Sequence, residues 1–453
     1  MNLLIPRHEL KSAIQGLSRV VSRKSTLPVL QHVRIAVEEG KASVSVTDLD
    51  SSLTYRFQDA SCDGLGVMLV PFSELQPLTK GKDVDPVEIA TTDDGLVTIT
   101  NTVAGQSIAR TITGLDPKEW PSLPAGVPVA SVDTAFLTHI QRAASFVSTD
   151  ETRYVLTGVY LDIGKDGDYL VATDGRRMTA INSPKLPIAE SCIVPATKFI
   201  TWNKLTGDPS IGCASGWFRL VTDTWDYRAR TIDGAYPNWR QVVPAESGKQ
   251  RLEFSEESVT LLSSVLPTFA GHATFNATVT LSATAGKVTL RGCGENDPQP
   301  STLELVGCTM TPGATISVSR WYLLDALAAG FRSFAFSDSA SPLVAHDPAG
   351  IHVLMPQRTV AEPENAPKPT PQPAKDPMPK PTESPSTQTV PQLSALDRVL
   401  VAYEQAKSKV REANEALSGV ASAVREALKE DKQRRAEIDS VRAGLARLQA
   451  IKV

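Results

Sequence analysis

"VATDGRRMTAI", Val171–Ile181, sets a glycine and two adjacent arginines between two apolar stretches. It reads as a phosphate loop, a catalytic loop or a tight turn. A phosphate loop needs G-x-x-x-x-G-K-[ST] running into a helix, and no such pattern follows. Asp174-Gly175 is a turn dipeptide between two period-2 runs. "TDLDSSLTYRF", from Thr47, holds the equivalent place earlier in the chain. Each stretch ends the second strand of a hairpin and leads into a third, so the chain repeats itself.

The repeat extends in both directions. An amphipathic helical segment precedes each hairpin: "PRHELKSAIQGLSRVVS" from Pro6, "DTAFLTHIQRAASFVS" from Asp133 and "SEESVTLLSSVLPTFA" from Ser255. Apolar residues recur at helical spacing, as in Leu10, Ile14 and Leu17, then Phe136, Leu137 and Ile140, then Val259, Leu262 and Leu266. Asp133 is a good N-cap candidate and Ser255–Ser258 a poor capping box. The hairpins are "HVRIAVEEGKASVSVTD", "YVLTGVYLDIGKDGDYLVATD" and "ATVTLSATAGKVTLRG", each turning at a glycine. Downstream, "LVPFSELQPLTKG", "IVPATKFITWNKLTG" and "SVSRWYLLDALAAG" each read as a strand end, a short helix and a glycine stop. "TITGLDPKEWPSLP" and "TIDGAYPNWRQVVP" close the first two copies. Periods of 20–50 residues mean solenoids, whereas a period of about 120 means whole domains in triplicate. The expected fold is α+β: three tandem homologous domains, 1–125, 126–246 and 247–358, each with two helices on antiparallel sheet.

After Arg358 the composition changes. Residues 359–391 are proline-rich with almost no large apolar side chain, an extended disordered linker. Residues 392–453 turn rich in Ala, Leu, Glu, Lys and Arg with a 3-4 spacing, a helical, coiled-coil-like tail of unknown partner.

The chain has 453 residues and a formal net charge of −4, which does not advertise nucleic-acid binding, although a basic surface can be local. The five cysteines form no C-x-x-C, so neither a zinc site nor a disulfide framework is indicated, and buried free thiols are expected. No cofactor or metal is expected. "MNLLIPRHELK" is charged too early for a signal peptide, and no apolar run approaches the roughly 20 residues of a membrane span, so the expectation is a cytoplasmic protein. No G-x-S-x-G, H-E-x-x-H or D-x-D-x-D-G pattern is present and the six histidines are dispersed. No catalytic residue is assigned. Basic residues mark the helical segments: Arg7, Lys11, Arg19, Arg23 and Lys24, then Lys80, Lys82, Arg142, Lys198 and Lys204, then Arg320.

Taken in order, "STLPVLQHVRIAV" with "TDLDSSL", "TRYVLTGVYLDI" with "ATDGRRMTA" and "DGAYPNWRQVVP", and "VLMPQR" resemble the bacterial β sliding clamps over about residues 1–358. The resemblance implies a head-to-tail dimer: six modules in a ring around duplex DNA, helices inside. The basic residues above would face phosphates without reading bases. It implies subunit contacts at Ile108, Val265 and Leu266, and no catalysis. It further implies an apolar groove between domains two and three that takes short peptides of the replicative DNA polymerase and the clamp loader. The matching positions are Leu156, Thr173, Gly175, Arg176, Arg177, Met178, Pro237, Val242, Leu343, Val353, Met355, Pro356 and Arg358. Gln241 and Gln357 depart from the family pattern, and "PQLSALDRVL" in the tail faintly resembles a clamp-binding peptide. Two other expectations compete: a clamp-fold interaction scaffold that has lost the replication role, and an enzyme with unmarked catalytic groups.

Overall fold

The computed structural model describes residues 1–357, apart from 23, 84, 92–94, 104, 124–125, 245–247, 273, 275–276, 295–298 and 349. Arg23, Arg358, the linker and the tail therefore lie outside the described residues.

The first copy carries β1 (Asn2–Ile5), α1 (Arg7–Leu17), β2 (His32–Glu38), β3 (Lys41–Thr47), β4 (Ser51–Arg56), β5 (Ser61–Asp63) and β6 (Gly66–Pro71). Helix α2 (Phe72–Leu75) and strands β7 (Val87–Thr91), β8 (Leu96–Val103) and β9 (Gln106–Thr113) follow. The second runs β10 (Ala130–Ser131), α3 (Ala135–Ala144), β11 (Gly158–Gly164), β12 (Gly167–Thr173), β13 (Arg177–Ser183) and β14 (Cys192–Pro195). It ends with β15 (Ser210–Ala214), β16 (Trp217–Val221) and β17 (Trp225–Arg230). The third begins with β18 (Gln250–Phe254), α4 (Glu256–Val265), β19 (Thr278–Thr284), β20 (Lys287–Gly292), β21 (Ser301–Leu305) and β22 (Cys308–Met310). It continues through β23 (Thr315–Ser319), α5 (Arg320–Ala328), β24 (Ser333–Phe336), β25 (Leu343–Asp347) and β26 (Gly350–Leu354).

The local chemistry explains these elements. The β2–β3 and β19–β20 hairpins turn on two residues at positive φ, Glu39 (50°) with Gly40 (74°) and Ala285 (51°) with Gly286 (78°). That is the mirror-image turn whose twist matches flanking strands. Helix α4 starts where the Ser255 hydroxyl accepts the Ser258 N–H. The Ser258 hydroxyl donates to Ser255 O and the Ser255 N–H bonds Gly307 O, so the cap is made without the reciprocal half of a capping box. Asp133 Oδ1 accepts from Ala135 N at 2.8 Å. The apolar faces of α1 and α3 enter one core, and those of α4 and α5 another. Each leucine so buried contributes about 1.5–3 kcal/mol.

One expected element is absent. Residues 197–205 form hydrogen-bonded turns in place of a second helix, such as Trp202 N to Phe199 O. Thr197, Ile200 and Thr201 are β-branched, and the Thr197 hydroxyl pairs with Tyr227 Oη at 2.8 Å. The expectation of buried thiols holds for Cys308, whereas Cys62, Cys192 and Cys213 are half-buried and Cys293 is exposed.

The strands form four antiparallel sheets among the described residues. Two of them run through from one copy to the next. In the eight-stranded sheet β4 of the first copy pairs with β17 of the second, Leu53 facing Tyr227. In the nine-stranded sheet β13 of the second pairs with β26 of the third, Met178 facing Val353. At the first junction α1 lies against Trp225: a Cβ on Gly16 would come within 2.2 Å of that ring. The other two sheets stop short. The first copy's five strands end at β9 and the third copy's four at β21, both mostly exposed edges.

Candidate peptide groove and basic face

The opening stretch is a side-chain-stapled turn. The Thr173 hydroxyl donates to Arg177 O at 2.6 Å and accepts from Gly175 N at 3.0 Å. Asp174 Oδ1 accepts from the N–H groups of Arg176 (2.9 Å) and Arg177 (3.0 Å). The third position needs a left-handed backbone, which Gly175 supplies at φ 85°. In the first copy Thr47 bonds Ser51 O (2.7 Å) and Leu49 N (3.0 Å), and Asp48 accepts from Ser51 N (2.6 Å). The two copies share one turn: both Thr bonds and the bond from the fifth residue's N–H to the Asp recur, whereas the Arg176 N–H bond to Asp174 has no counterpart at Asp50 among the described residues.

Beyond this turn lies a small apolar cluster on one face of the nine-stranded sheet. Its buried members are Val171, Met178, Ala180, Trp239, Val344 and Val353, edged by Tyr160, Tyr169 and Tyr236. Tyr160 stacks on Tyr236 at 4.7 Å, and burial pushes the Tyr236 hydroxyl above its usual range. Asp162 accepts from Trp239 Nε1 (2.8 Å) and Arg240 Nη1 (2.6 Å), which pins the loop carrying Pro237 and Val242. Thr173 and Pro356 are half-buried, and Gly175, Arg176 and Pro237 are exposed. Val242 (46% exposed) and Met355 (41%) offer apolar surface to solvent, and Met355 N bonds Arg176 O at 3.0 Å. Exposed Gln241 caps a short turn on Asn238 O, while Gln357 is held by the Thr278 hydroxyl and Ser317 O.

Three expected groove residues are placed otherwise. Leu343 pairs with Leu354 and lies wholly in the third copy's core, while its neighbour Val344 pairs with Val353 on the groove face. Alternation along a strand decides this, and the one-residue difference inverts the face. Leu156, 7% exposed, is buried outside the apolar cluster. Arg177, 8% exposed, does not offer its guanidinium to a peptide: it bonds Asp174 Oδ2 (3.1 Å), Asp325 Oδ2 (2.5 Å) and Ser145 O (3.3 Å). It also lies over the rings of Phe146 and Tyr322, riveting the second copy to the third. Beside it His352 is fully buried between Phe146 and Phe331, with neither ring nitrogen bonded among the described residues. Burial, then the Arg177 and Arg142 charges, lowers its pKa to about 3.

The basic residues also divide. Arg19 bonds Lys198 O (3.2 Å) and stacks over Trp202, and Lys204 bonds Gln15 Oε1 (3.1 Å). Lys11, one turn before Gln15, lies on the same side of α1. Lys11, Arg19, Lys198 and Lys204 thus share a face across the first junction; Lys24, Lys80 and Lys82 are exposed. Arg7 and Arg320 cannot contact phosphate, being 0% exposed. Arg7 donates to the carbonyls of Leu78, Lys80, Lys82 and Thr102 and to Asn101 Oδ1. Arg320 donates to those of Leu266, Phe269, Ala270 and Ala277. Each begins a helix, where a solvated cation opposes the dipole and a buried one ties down loop carbonyls instead. Arg142 is largely buried on Asp347 (2.9 Å) and over Phe331. Of the expected subunit contacts Ile108 is 55% exposed and Val265 half-buried, but Leu266 is core.

Comparison with known proteins decides what this architecture is. The family models described as DNA polymerase III beta subunit, N-terminal domain, and DNA polymerase III beta subunit, central domain, match residues 1–124 and 132–238, together just over half the chain. The chain belongs to the bacterial β sliding clamp family. The Beta sliding clamp of Caulobacter vibrioides is 27% identical over 392 residues, 79% of this chain and 100% of that protein. That of Chlamydia pneumoniae is 25% identical over 388 residues, 79% of this chain and 99% of that one. Among solved structures, the Caulobacter crescentus polymerase III β subunit aligns with a TM-score of 0.66 at 25% identity, over 79% of this chain and 100% of its own. The share outside these clamp alignments is the size of the C-terminal extension.

Proposed function

We propose that two copies of this chain close head to tail into a ring around duplex DNA and tether the replicative polymerase to it. The chain is a non-catalytic processivity subunit. The two open sheet edges carry this reading. At both internal junctions the third strand of a copy's hairpin unit, β4 or β13, pairs with the last strand of the next copy, β17 or β26. By the same rule β21 of the third copy needs the last strand of a first copy, which is β9 of a second chain. Four and five strands then complete a nine-stranded sheet like the one within the chain. Heterologous contacts that close into a ring leave neither of these two edges unpaired.

Three domains, 1–125, 126–246 and 247–358, would supply six modules per ring. Lys11, Arg19, Lys24, Lys80, Lys82, Lys198 and Lys204 face the phosphates; such contacts exchange easily and carry no sequence information. Retention comes from topology, and tethering raises the polymerase's effective concentration at the primer end. The polymerase and the clamp loader dock by short peptides over Met178, Val242, Val353, Met355 and Pro356. We place the protein in the cytoplasm with the replication machinery.

Ile108 projects from the β9 edge. Ile108→Asp should convert a dimer of the full chain to monomer by light scattering, and abolish loader-dependent retention on nicked circular DNA. A dimer unaffected by this change, or a wild-type monomer, overturns the ring. Retention that needs no circular topology favours the scaffold reading.

A further inference from the structure

The first copy repeats the turn of the second but sets Leu49, 43% exposed, at φ 81° where the second copy has Gly175. A leucine held left-handed is strained by about 1–2 kcal/mol, and such strain clusters at ligand sites. Leu49 lines a cavity of about 450 Å³ with Pro121, Ser122, Leu123, Trp217 and Arg230. A second cavity of about 370 Å³ shares Pro121, Ser122 and Leu123 and continues past Ser52 and Arg228 to Arg34.

This trough occupies, at the first junction, the place the peptide groove holds at the second. Ser52 faces Arg228 across β4 and β17 as Met178 faces Val353 across β13 and β26. Residues 121–123 come from the first copy's closing segment, as Gln241 and Val242 come from the second's. The lining differs in charge. The Arg230 guanidinium, its side chain 62% exposed, lies over the Trp217 ring at 5.3 Å. Its partner Asp50, 3.7 Å away, is 86% exposed, a screened pair that a ligand carboxylate displaces.

We propose that the junction of the first two copies is a second peptide site, which takes an extended segment of a partner presenting an apolar side chain beside a carboxylate. The proposal rests on the reading of the first groove. The apolar side chain packs between Leu49, Leu123 and Trp217, and the carboxylate pairs with Arg230 in a charge-assisted contact.

The test is calorimetric titration of the full chain with the synthetic peptide Leu-Asp-Leu-Phe and its Leu-Lys-Leu-Phe counterpart. Two acidic peptides should bind per chain, and the lysine peptide should lose one site at least tenfold in affinity. Leu49→Gly with Arg230→Ala should leave one site unchanged; glycine suits φ 81°, and a melting midpoint no lower than wild type shows that the fold is kept. Val242→Asp with Met355→Asp should remove only the other site. One peptide per chain, indifferent to Leu49→Gly and Arg230→Ala but lost with the Val242 and Met355 changes, overturns this inference and leaves the first groove standing. Binding lost only with Leu49 and Arg230 supports it and overturns the first groove.

Discussion

His352 makes the second junction sensitive to acid, and the size of the effect follows from its surroundings. The ring is fully buried between Phe146 and Phe331, with Arg177 and Arg142 near, and its pKa is lowered to about 3. In the unfolded chain it titrates near 6.5. Between those values the unfolded state takes up a proton that the native state refuses, so stability rises with pH across that window. The contribution is complete above about 6.5 and is lost as pH falls toward 3, at a limiting rate of about 1.4 kcal/mol per unit. From pH 7 to pH 5 the expected loss from this residue is about 2 kcal/mol. His352→Phe keeps a flat ring between the two phenylalanines and has nothing to protonate. Urea unfolding at pH 7 and pH 5 should therefore show a loss about 2 kcal/mol smaller in the variant than in wild type. The variant should also be at least as stable at pH 7, because a buried ring nitrogen without a partner costs about 1–3 kcal/mol. An equal loss in both proteins, or a native histidine titrating near 6.5 by NMR, refutes the reasoning.

Arg177→Ala removes a buried cation from Asp174, Asp325 and two aromatic rings; the expected cost is about 3–5 kcal/mol in chemical denaturation, and a surface-like change below about 1 kcal/mol would contradict the rivet. Gly16→Ala drives a methyl group into Trp225 and should destabilise by about 1–3 kcal/mol in the same assay. Lys11→Ala with Lys198→Ala should lower the salt slope of duplex binding by about 2 while leaving sequence preference flat; an unchanged slope removes these lysines from the DNA face.

Much of this was legible in the sequence because its signals are local. The glycine hairpins, the 3-4 spacing of α1, α3 and α4, and the turn at Thr47 and Thr173 depend on neighbours a few residues away. Burial of charge is not local: Arg7 and Arg320 look like solvated cations until distant carbonyls are placed around them. Their one sequence signal was position, since a cation at the first residue of a helix opposes the dipole. Leu343 and Val344 show the sharper limit. Both are apolar, and only the register against β26 says which faces the groove. The lost second helix had a weaker signal in its β-branched residues, and Trp239 with Asp162 had none.

The open edges at β9 and β21 carry a consequence for geometry. Strand pairing fixes which ends meet but not how many copies complete a circuit. Six modules close only if each turns the path by about 60°; a few degrees of error per step accumulates into a spiral that climbs past its own beginning. Curvature is then governed by the two intrachain seams, where Gly16 meets Trp225 and Arg177 spans from Asp174 to Asp325. A substitution there, remote from the subunit contact, would turn a closed hoop into a lock washer without breaking a single bond at the gap.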